Sequence, residues 1–147
     1  MTELNEADLA SVAAELEIRN VLARVAQHYD SGEEEPYIRL FSEDAVWEMA
    51  DNPRTGQSGS IRQGRAAIAE GLRERRQAAQ SDGKARMHFV ATSAVTVRGD
   101  EASAASYFQL LLVDQTGVTL QSAGRYRDSM RRTEDGWKLA ARVITFG

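Results

Sequence analysis

The chain has 147 residues, of which 27% are charged and 42% hydrophobic, and its formal net charge is −4. These values are typical of a single globular domain. The acidic balance argues against nucleic acid as a partner, because phosphate binding needs a clustered basic surface. The absence of cysteine excludes disulfides, thiolate nucleophiles and iron–sulfur clusters, and the presence of only two histidines excludes a three-histidine metal site.

The ends and the hydropathy of the chain indicate a cytoplasmic protein. The N-terminal sequence "MTELNEADLA" is acidic and lacks the basic and apolar regions of a signal peptide. No apolar run approaches the roughly 18 residues that a membrane span needs. Arginines cluster in "LRERRQ" and "SMRRTEDG", but acidic residues are interleaved with them, so we expect both clusters to face solvent.

Helical periodicity begins close to the N-terminus. Apolar residues from Ile18 to Tyr29 recur at the three-and-four spacing of one helix face. Apolar residues from Leu9 to Leu16 keep this spacing, but they fall on nearly the opposite side. One straight helix would need two partners, so we expect either a bend near Glu17 or a segment of residues 1–16 that packs separately, for example on a partner subunit.

Turn and cap residues set the bounds of the predicted helices. Asn5 is a start signal for the first helix, and "DSG" at 30–32 is a stop signal. A short second helix is predicted at about 34–41, and a third at about 65–80. Between them, "AVWEM" predicts a strand, and the turn-rich residues 51–63 predict a long loop that is a candidate lid.

The second half of the chain predicts an antiparallel sheet. Four strand-like runs, at about 86–98, 101–113, 118–132 and 137–146, are separated by short hairpin signals. Helices followed by such a meander predict one α+β domain over residues 1–147. We expect about three helices packed on a curved antiparallel or mixed sheet, in a cone-shaped barrel that encloses a ligand between helices and sheet.

Asp30 and His88 are the two candidate catalytic residues. Asp30 lies at the edge of an apolar helix face, where its carboxylate could accept a proton, although aspartate is also common in turns. His88 opens the first long strand, and histidine is the residue type that changes charge near neutral pH. The same strand face is predicted to carry Val90, Thr92, Ala94 and Thr96. A structural role for the histidine remains the alternative.

Other candidate residues would bind the substrate without taking part in the reaction. Aromatic residues on strands can line a pocket, although they more often belong to a plain core; this set is Trp47, Tyr107, Phe108, Tyr126 and Phe146. Metal binding by Asp30, Glu48 and His88 is not expected, because no helix presents the paired spacing of metal ligands.

Four segments together resemble a known family. These are "EIRNVLARVAQHYDSGEEEPYIRLFSEDAVWE", "GRAAIAEGL", "MHFVATSAVTVRGDEASAASYF" and "GRYRDSMRRTEDGWKLAARVITF". They resemble SnoaL-like proteins of the nuclear-transport-factor-like cone-fold superfamily, which includes scytalone dehydratase, ketosteroid isomerase, bile-acid dehydratase and polyketide cyclases. The resemblance covers about Glu15 to Phe146.

The resemblance implies roles for individual residues. Asp30 and His88 fall on the working acid–base pair of the dehydratase-like branch. Val25 stands where that branch often has a tyrosine, and Thr92 where it often has an asparagine, so both are expected at the substrate together with Trp47, Tyr107 and Tyr126. Tyr29, Tyr107 or Tyr126 would have to replace the missing phenol.

The resemblance also implies a function. It favours a cofactor-independent lyase or isomerase, of the dehydratase, isomerase or cyclase type, acting on a hydrophobic ring-containing carbonyl compound. It further implies a homodimer. The alternatives are a non-catalytic carrier or sensor of an apolar ligand and a structural subunit of an oxygenase.

Overall fold

The computed structural model describes residues 3–147, with every side chain in that range except that of Thr92. In this range three helices and six strands follow one another. In order they are α1 (Glu6–Ser31), α2 (Glu34–Ile38), β1 (Phe41–Met49), β2 (Ser60–Gln63), α3 (Arg65–Asp82), β3 (Ala85–Arg98), β4 (Glu101–Asp114), β5 (Gly117–Thr133) and β6 (Gly136–Phe146).

Within the described range the strands form one open, mixed sheet in the order β2-β1-β6-β5-β4-β3. Strand β1 runs parallel to β6, whereas every other neighbouring pair is antiparallel. The α+β prediction is confirmed, and the bounds of β3 to β6 lie within one residue of those predicted. Strand β2 was not predicted: its four residues lie at the end of the turn-rich segment and pair with β1 at the sheet edge.

Helix α1 has the predicted caps. The Asn5 side chain accepts a hydrogen bond from the Asp8 N–H (2.9 Å), and the Asp8 carboxylate accepts one from the Asn5 N–H (3.1 Å). This reciprocal capping box satisfies two otherwise unpaired donors. At the other end, Gly32 adopts a left-handed conformation (φ 73°), which costs glycine little.

The helix is continuous through Glu17, so the two apolar faces of α1 belong to one element. Ile18 and Leu22 are buried against the sheet. Leu9 and Leu16, however, are 54% and 60% exposed, so residues 3–147 do not cover the N-terminal face. No helix among the described residues is long and apolar enough to cross a membrane.

The core lies between the helices and one face of the sheet. It is built mainly from large apolar side chains that α1, α3 and alternate strand positions direct inward. Its largest fully buried members are Ile18, Phe41, Leu72, Met130 and Leu139.

An irregularity in β3 changes which of its residues face inward. The pairing of β3 with β4 shifts register between Ala91 and Ala94, as a β-bulge does. Beyond the shift, Val95 is partly buried, while Ala94 and Thr96 are exposed. The prediction that Ala94 and Thr96 share the face of His88 is therefore wrong, because the extra residue reverses the alternation.

Candidate active site

Asp30 and His88 meet where the end of α1 crosses the start of β3. The His88 backbone N–H donates to Asp30 Oδ2 (2.8 Å), and the imidazole Nδ1 lies 2.6 Å from Asp30 Oδ1. Both carboxylate oxygens are therefore bound by one residue. The Asp30 and His88 side chains are only 19% and 11% exposed, so this pair is largely shielded from solvent.

The carboxylate determines which imidazole nitrogen can react. An ionised aspartate only accepts hydrogen bonds, so it selects the neutral tautomer that carries the proton on Nδ1. The other nitrogen, Nε2, then has a free lone pair. No described side chain hydrogen-bonds Nε2, and His88 lines a cavity. Nε2 is thus the nitrogen available to a molecule bound there.

The cavity lies between α1, α3 and the inner face of the sheet, with a volume of about 440 Å³. This is within the range of small-molecule sites, roughly 300–1,000 Å³. Asn52, Thr55 and Gln57 contribute to its wall, so part of the predicted lid segment borders the cavity. The apolar walls come from Met49, Leu72, Ala78, Ala79, Ala85, Phe108, Leu110, Ile144 and Phe146.

The predicted binding residues are not all brought together. Tyr126 is buried and lines the cavity, while Val25 and Trp47 line a small adjoining space of about 30 Å³ that also borders His88. Tyr107 does not face the cavity: it is 56% exposed on the outer face of the sheet, where Arg125 lies over its ring. Its predicted place at the substrate is wrong. The Thr92 side chain lies outside the described part of the chain.

Tyr29 completes the group around the imidazole. Its ring meets the His88 ring edge to face, with centroids 5.1 Å apart, and it lines the same cavity. Its hydroxyl accepts a hydrogen bond from Arg75 Nη1 (2.8 Å). Burial raises the pKa of Tyr29 above its ordinary value of 10.0, although Arg75 opposes this. The phenol therefore stays protonated at neutral pH and keeps a proton to donate.

Arg75 is a site residue that the sequence did not identify. It lies on α3 in "LRERRQ", a cluster expected to face solvent, yet Arg75 and Arg76 both line the cavity. The Arg75 guanidinium lies 4.7 Å from the centroid of the Trp47 ring. A cation over an aromatic face is stabilised by the ring quadrupole. The expectation for this cluster was wrong at Arg75, which is partly buried, whereas Arg73 and Arg76 are exposed.

A buried ion pair supports the opposite wall. Arg142 on β6 donates to both oxygens of Asp128 on β5 (2.7 and 2.9 Å), and the two side chains are 7% and 0% exposed. The guanidinium carbon lies 3.9 Å from the centroid of the Tyr126 ring, which in turn stacks on Phe108 at 4.4 Å. Although burial disfavours the charge, Asp128 raises the pKa of Arg142. The pair therefore fixes the aromatic wall from behind.

Gly124 lets this wall pack closely. A Cβ at this position would lie 2.0 Å from the carbonyl oxygen of Thr145 and 2.8 Å from the Phe108 ring. Only glycine fits such an approach, so Phe108 rests directly on the β5 backbone.

Among the described residues, no cluster of three or more histidine, aspartate or glutamate side chains is placed to hold a metal ion.

The fold is similar to that of NTF2-like proteins. An NTF2-like protein with a cystatin-like fold from Novosphingobium aromaticivorans is 26% identical, with a TM-score of 0.82 over 99% of this chain and 92% of that one. A Catenulispora acidiphila protein solved in complex with S-DNPA is 25% identical, with a TM-score of 0.71 over 92% and 94%. ActVI-ORFA from Streptomyces coelicolor, 20% identical, shares the fold (TM-score 0.78, over 92% and 96%).

A sequence model of the SnoaL-like domain matches residues 10–143, and the chain belongs to this family. No curated protein matches the chain significantly by sequence. Family and fold support a small-molecule-binding or an isomerase- or cyclase-type function.

Proposed function

We propose that the protein is a cofactor-independent lyase or isomerase that acts on a hydrophobic ring-containing carbonyl compound, such as a polyketide-like or steroid-like molecule. The observation that carries this proposal is the Asp30–His88 pair, in which both carboxylate oxygens bind one histidine that lines an apolar cavity. The same dyad was expected from the sequence, and its contacts support that expectation.

In the proposed reaction, His88 Nε2 removes a proton from a carbon beside the substrate carbonyl. The electron pair of the broken C–H bond moves to the carbonyl oxygen and forms an enolate. The Asp30 carboxylate stabilises the imidazolium that results. The imidazolium then returns the proton to another carbon in an isomerisation, or to a leaving hydroxyl, which departs as water in a dehydration. General acid–base assistance of this kind contributes roughly 10²–10⁴-fold, enough for an already acidic C–H bond.

Val25 stands where related proteins often have a tyrosine, and Tyr29 is proposed to supply the phenol hydroxyl in its place. Since its hydroxyl oxygen accepts from Arg75, its proton is free to be donated to the enolate oxygen. The adjacent guanidinium strengthens this donor, because the cation draws charge from the phenol oxygen.

Replacing Tyr29 by phenylalanine should therefore lower turnover by about 10²-fold, as loss of one oxyanion donor does. Ligand affinity should change little, because the ring remains. Tyr107→Phe is the matched control, since that phenol is exposed on the outer face of the sheet. Equal turnover in the two variants would remove Tyr29 from the mechanism.

The reaction class can be tested without the natural substrate. 2-Tetralone carries a C–H bond between a carbonyl group and an aromatic ring, so its C1 proton is already acidic and its fused rings are apolar. We expect the protein in deuterated buffer to accelerate deuterium incorporation at C1, followed by proton NMR. Binding of 2-tetralone without any acceleration would instead favour a carrier or sensor, the alternative that Val25 at the family's tyrosine position supports.

A homodimer is also proposed. The outer face of the sheet exposes Met87, Phe89 and Tyr107 by more than half, and the N-terminal face of α1 exposes Leu9 and Leu16. Exposed apolar surface of this extent is typical of association sites. Size-exclusion chromatography with light scattering should give about twice the chain mass of 16.2 kDa. A strict monomer at micromolar concentration would contradict the dimer.

A further inference from the structure

The charges around the cavity are uneven. Acidic residues outnumber basic ones in the whole chain, 22 to 18. The cavity lining reverses this balance. Asp30 is its single described acidic residue, and His88 binds both of its oxygens. Four lining residues are permanent cations: Arg75, Arg76, Lys84 and Arg86.

Two of these cations have acidic partners. Arg86 donates to both oxygens of Asp82 (2.9 and 2.5 Å), and Lys84 Nζ lies 4.0 Å from Asp114. Arg75 differs: its terminal nitrogens contact the Tyr29 hydroxyl and, at 3.4 Å, the Met49 sulfur, and neither is an anion. Among the described side chains, no carboxylate lies within ion-pair distance of Arg75.

Two of the cations and His88 are arranged by depth at the start of β3. Lys84, just before the strand, and Arg86 and His88 within it occupy alternate positions, and their side chains are 43%, 20% and 11% exposed, so they lead from the mouth inward. Successive members of this row are about 7 Å apart along the strand, from a rise of roughly 3.3 Å per residue. Arg75 and Arg86 line the same cavity as Tyr29, and Arg75 Nη1 lies 2.8 Å from the Tyr29 hydroxyl.

From this arrangement we propose that the ligand is an anion: an apolar ring system that carries a carboxylate. The rings lie on Phe108 and Leu110, and the carboxylate lies between Arg75 and Arg86. A guanidinium binds a carboxylate through two parallel N–H donors, which gives direction as well as charge. Lys84 and Arg86 draw the carboxylate inward, because a low-dielectric cleft focuses the field of its charges.

This inference rests on the proposed function only in taking the cavity as the ligand site, and it does not require turnover. It places the carboxylate of the ligand near Arg86, which lies two residues before His88 on β3. The reacting carbon would then lie beside the imidazole, while the carboxylate lies between the imidazole and the mouth. An anionic substrate would thus be held in one orientation.

The test compares 2-naphthoate with 2-naphthamide, two ligands of nearly equal shape that differ in charge at neutral pH. Isothermal titration calorimetry on the full chain should show that 2-naphthoate binds about tenfold or more tightly, since hydrogen bonds to charged groups are the strong ones. Added salt should reduce this preference and leave the amide's affinity unchanged. Equal affinity of the two ligands for the wild-type protein would overturn the proposal.

Substitutions of single arginines show which residues cause the preference for 2-naphthoate. Arg75→Met keeps the length and apolar packing of the side chain, and it should remove most of the roughly tenfold difference. Arg86→Met is a second variant in case the first does not fold, and it should act in the same direction. Arg73→Met is the matched control, because Arg73 lies on the same helix but does not line the cavity. A preference that survives the loss of both Arg75 and Arg86 would contradict the assignment.

The two proposals fail separately. A wild-type protein that shows no anion preference, but whose deuterium exchange depends on His88, would overturn only the ligand class. A clear preference for 2-naphthoate, in a protein that exchanges no deuterium, would uphold the ligand class and overturn the enzymatic function.

Discussion

Replacing His88 by alanine is expected to lower the rate of deuterium incorporation into 2-tetralone by about 10²–10⁴-fold. The imidazole is the single group in the proposed mechanism that takes the proton, and no second histidine can replace it. His28, the other histidine, lies 3.7 Å from Glu33 and does not line the cavity. The His28→Ala variant should therefore incorporate deuterium into 2-tetralone at the wild-type rate.

Asp30→Asn tests the second member of the pair. The amide can still accept from the His88 backbone N–H, but it carries no charge to stabilise the imidazolium and it can present its own donors to Nδ1. We expect a loss within the same range, roughly 10²–10⁴-fold, with the circular dichroism spectrum unchanged. Wild-type turnover in both His88→Ala and Asp30→Asn would reject the acid–base assignment.

The largest expected effect on stability concerns Asp128. Asp128→Asn would leave the Arg142 charge buried without its counter-ion, and breaking a buried pair costs about 3–5 kcal/mol. The free energy of unfolding, measured with urea, should fall by this amount. The aromatic wall should loosen as well, because Arg142 lies against Tyr126.

An exposed ion pair between β5 and β1 provides the control. Arg131 contacts Asp44 at 3.1 Å, but the two side chains are 47% and 68% exposed. Exposed pairs contribute about 0–1 kcal/mol, so Asp44→Asn should change stability by no more than that. Removing both buried charges, in Asp128→Leu with Arg142→Met, should cost less than Asp128→Asn alone. A loss in Asp128→Asn as small as that in Asp44→Asn would show that Arg142 finds another partner or reaches water.

Local signals in the sequence were sufficient for most of the fold. The caps of α1 and the short turns before β4, β5 and β6 depend only on residues close by in the sequence. The bounds of this helix and these strands could therefore be predicted closely. Strand β2 could not, since its four residues gain their structure from pairing with β1. The bulge near Ala91 also escaped prediction, because an extra residue in one strand is defined only by its partner.

A site residue was predictable where its position within a single helix or strand was enough to locate it. Asp30 and His88 were identified from their positions at the ends of elements and from the family resemblance. Tyr107 was misplaced because Tyr107 and Phe108 are both aromatic, so the sequence does not indicate which of them faces inward. Asp128 and Arg142 become a pair only through the register of β5 with β6. Arg75 and Arg73 occur in the same charged run, and only the packing of α3 separates them.

The measurement that tests the account most directly is the state of the His88 side chain, by ¹⁵N NMR of the imidazole. The contact with Asp30 predicts that neutral His88 carries its proton on Nδ1 and that Nε2 is unprotonated. Addition of 2-naphthoate should shift the Nε2 resonance, because the ligand enters the cavity that His88 lines. A proton found on Nε2 of neutral His88, or an Nε2 resonance that does not respond to a bound cavity ligand, would contradict the account.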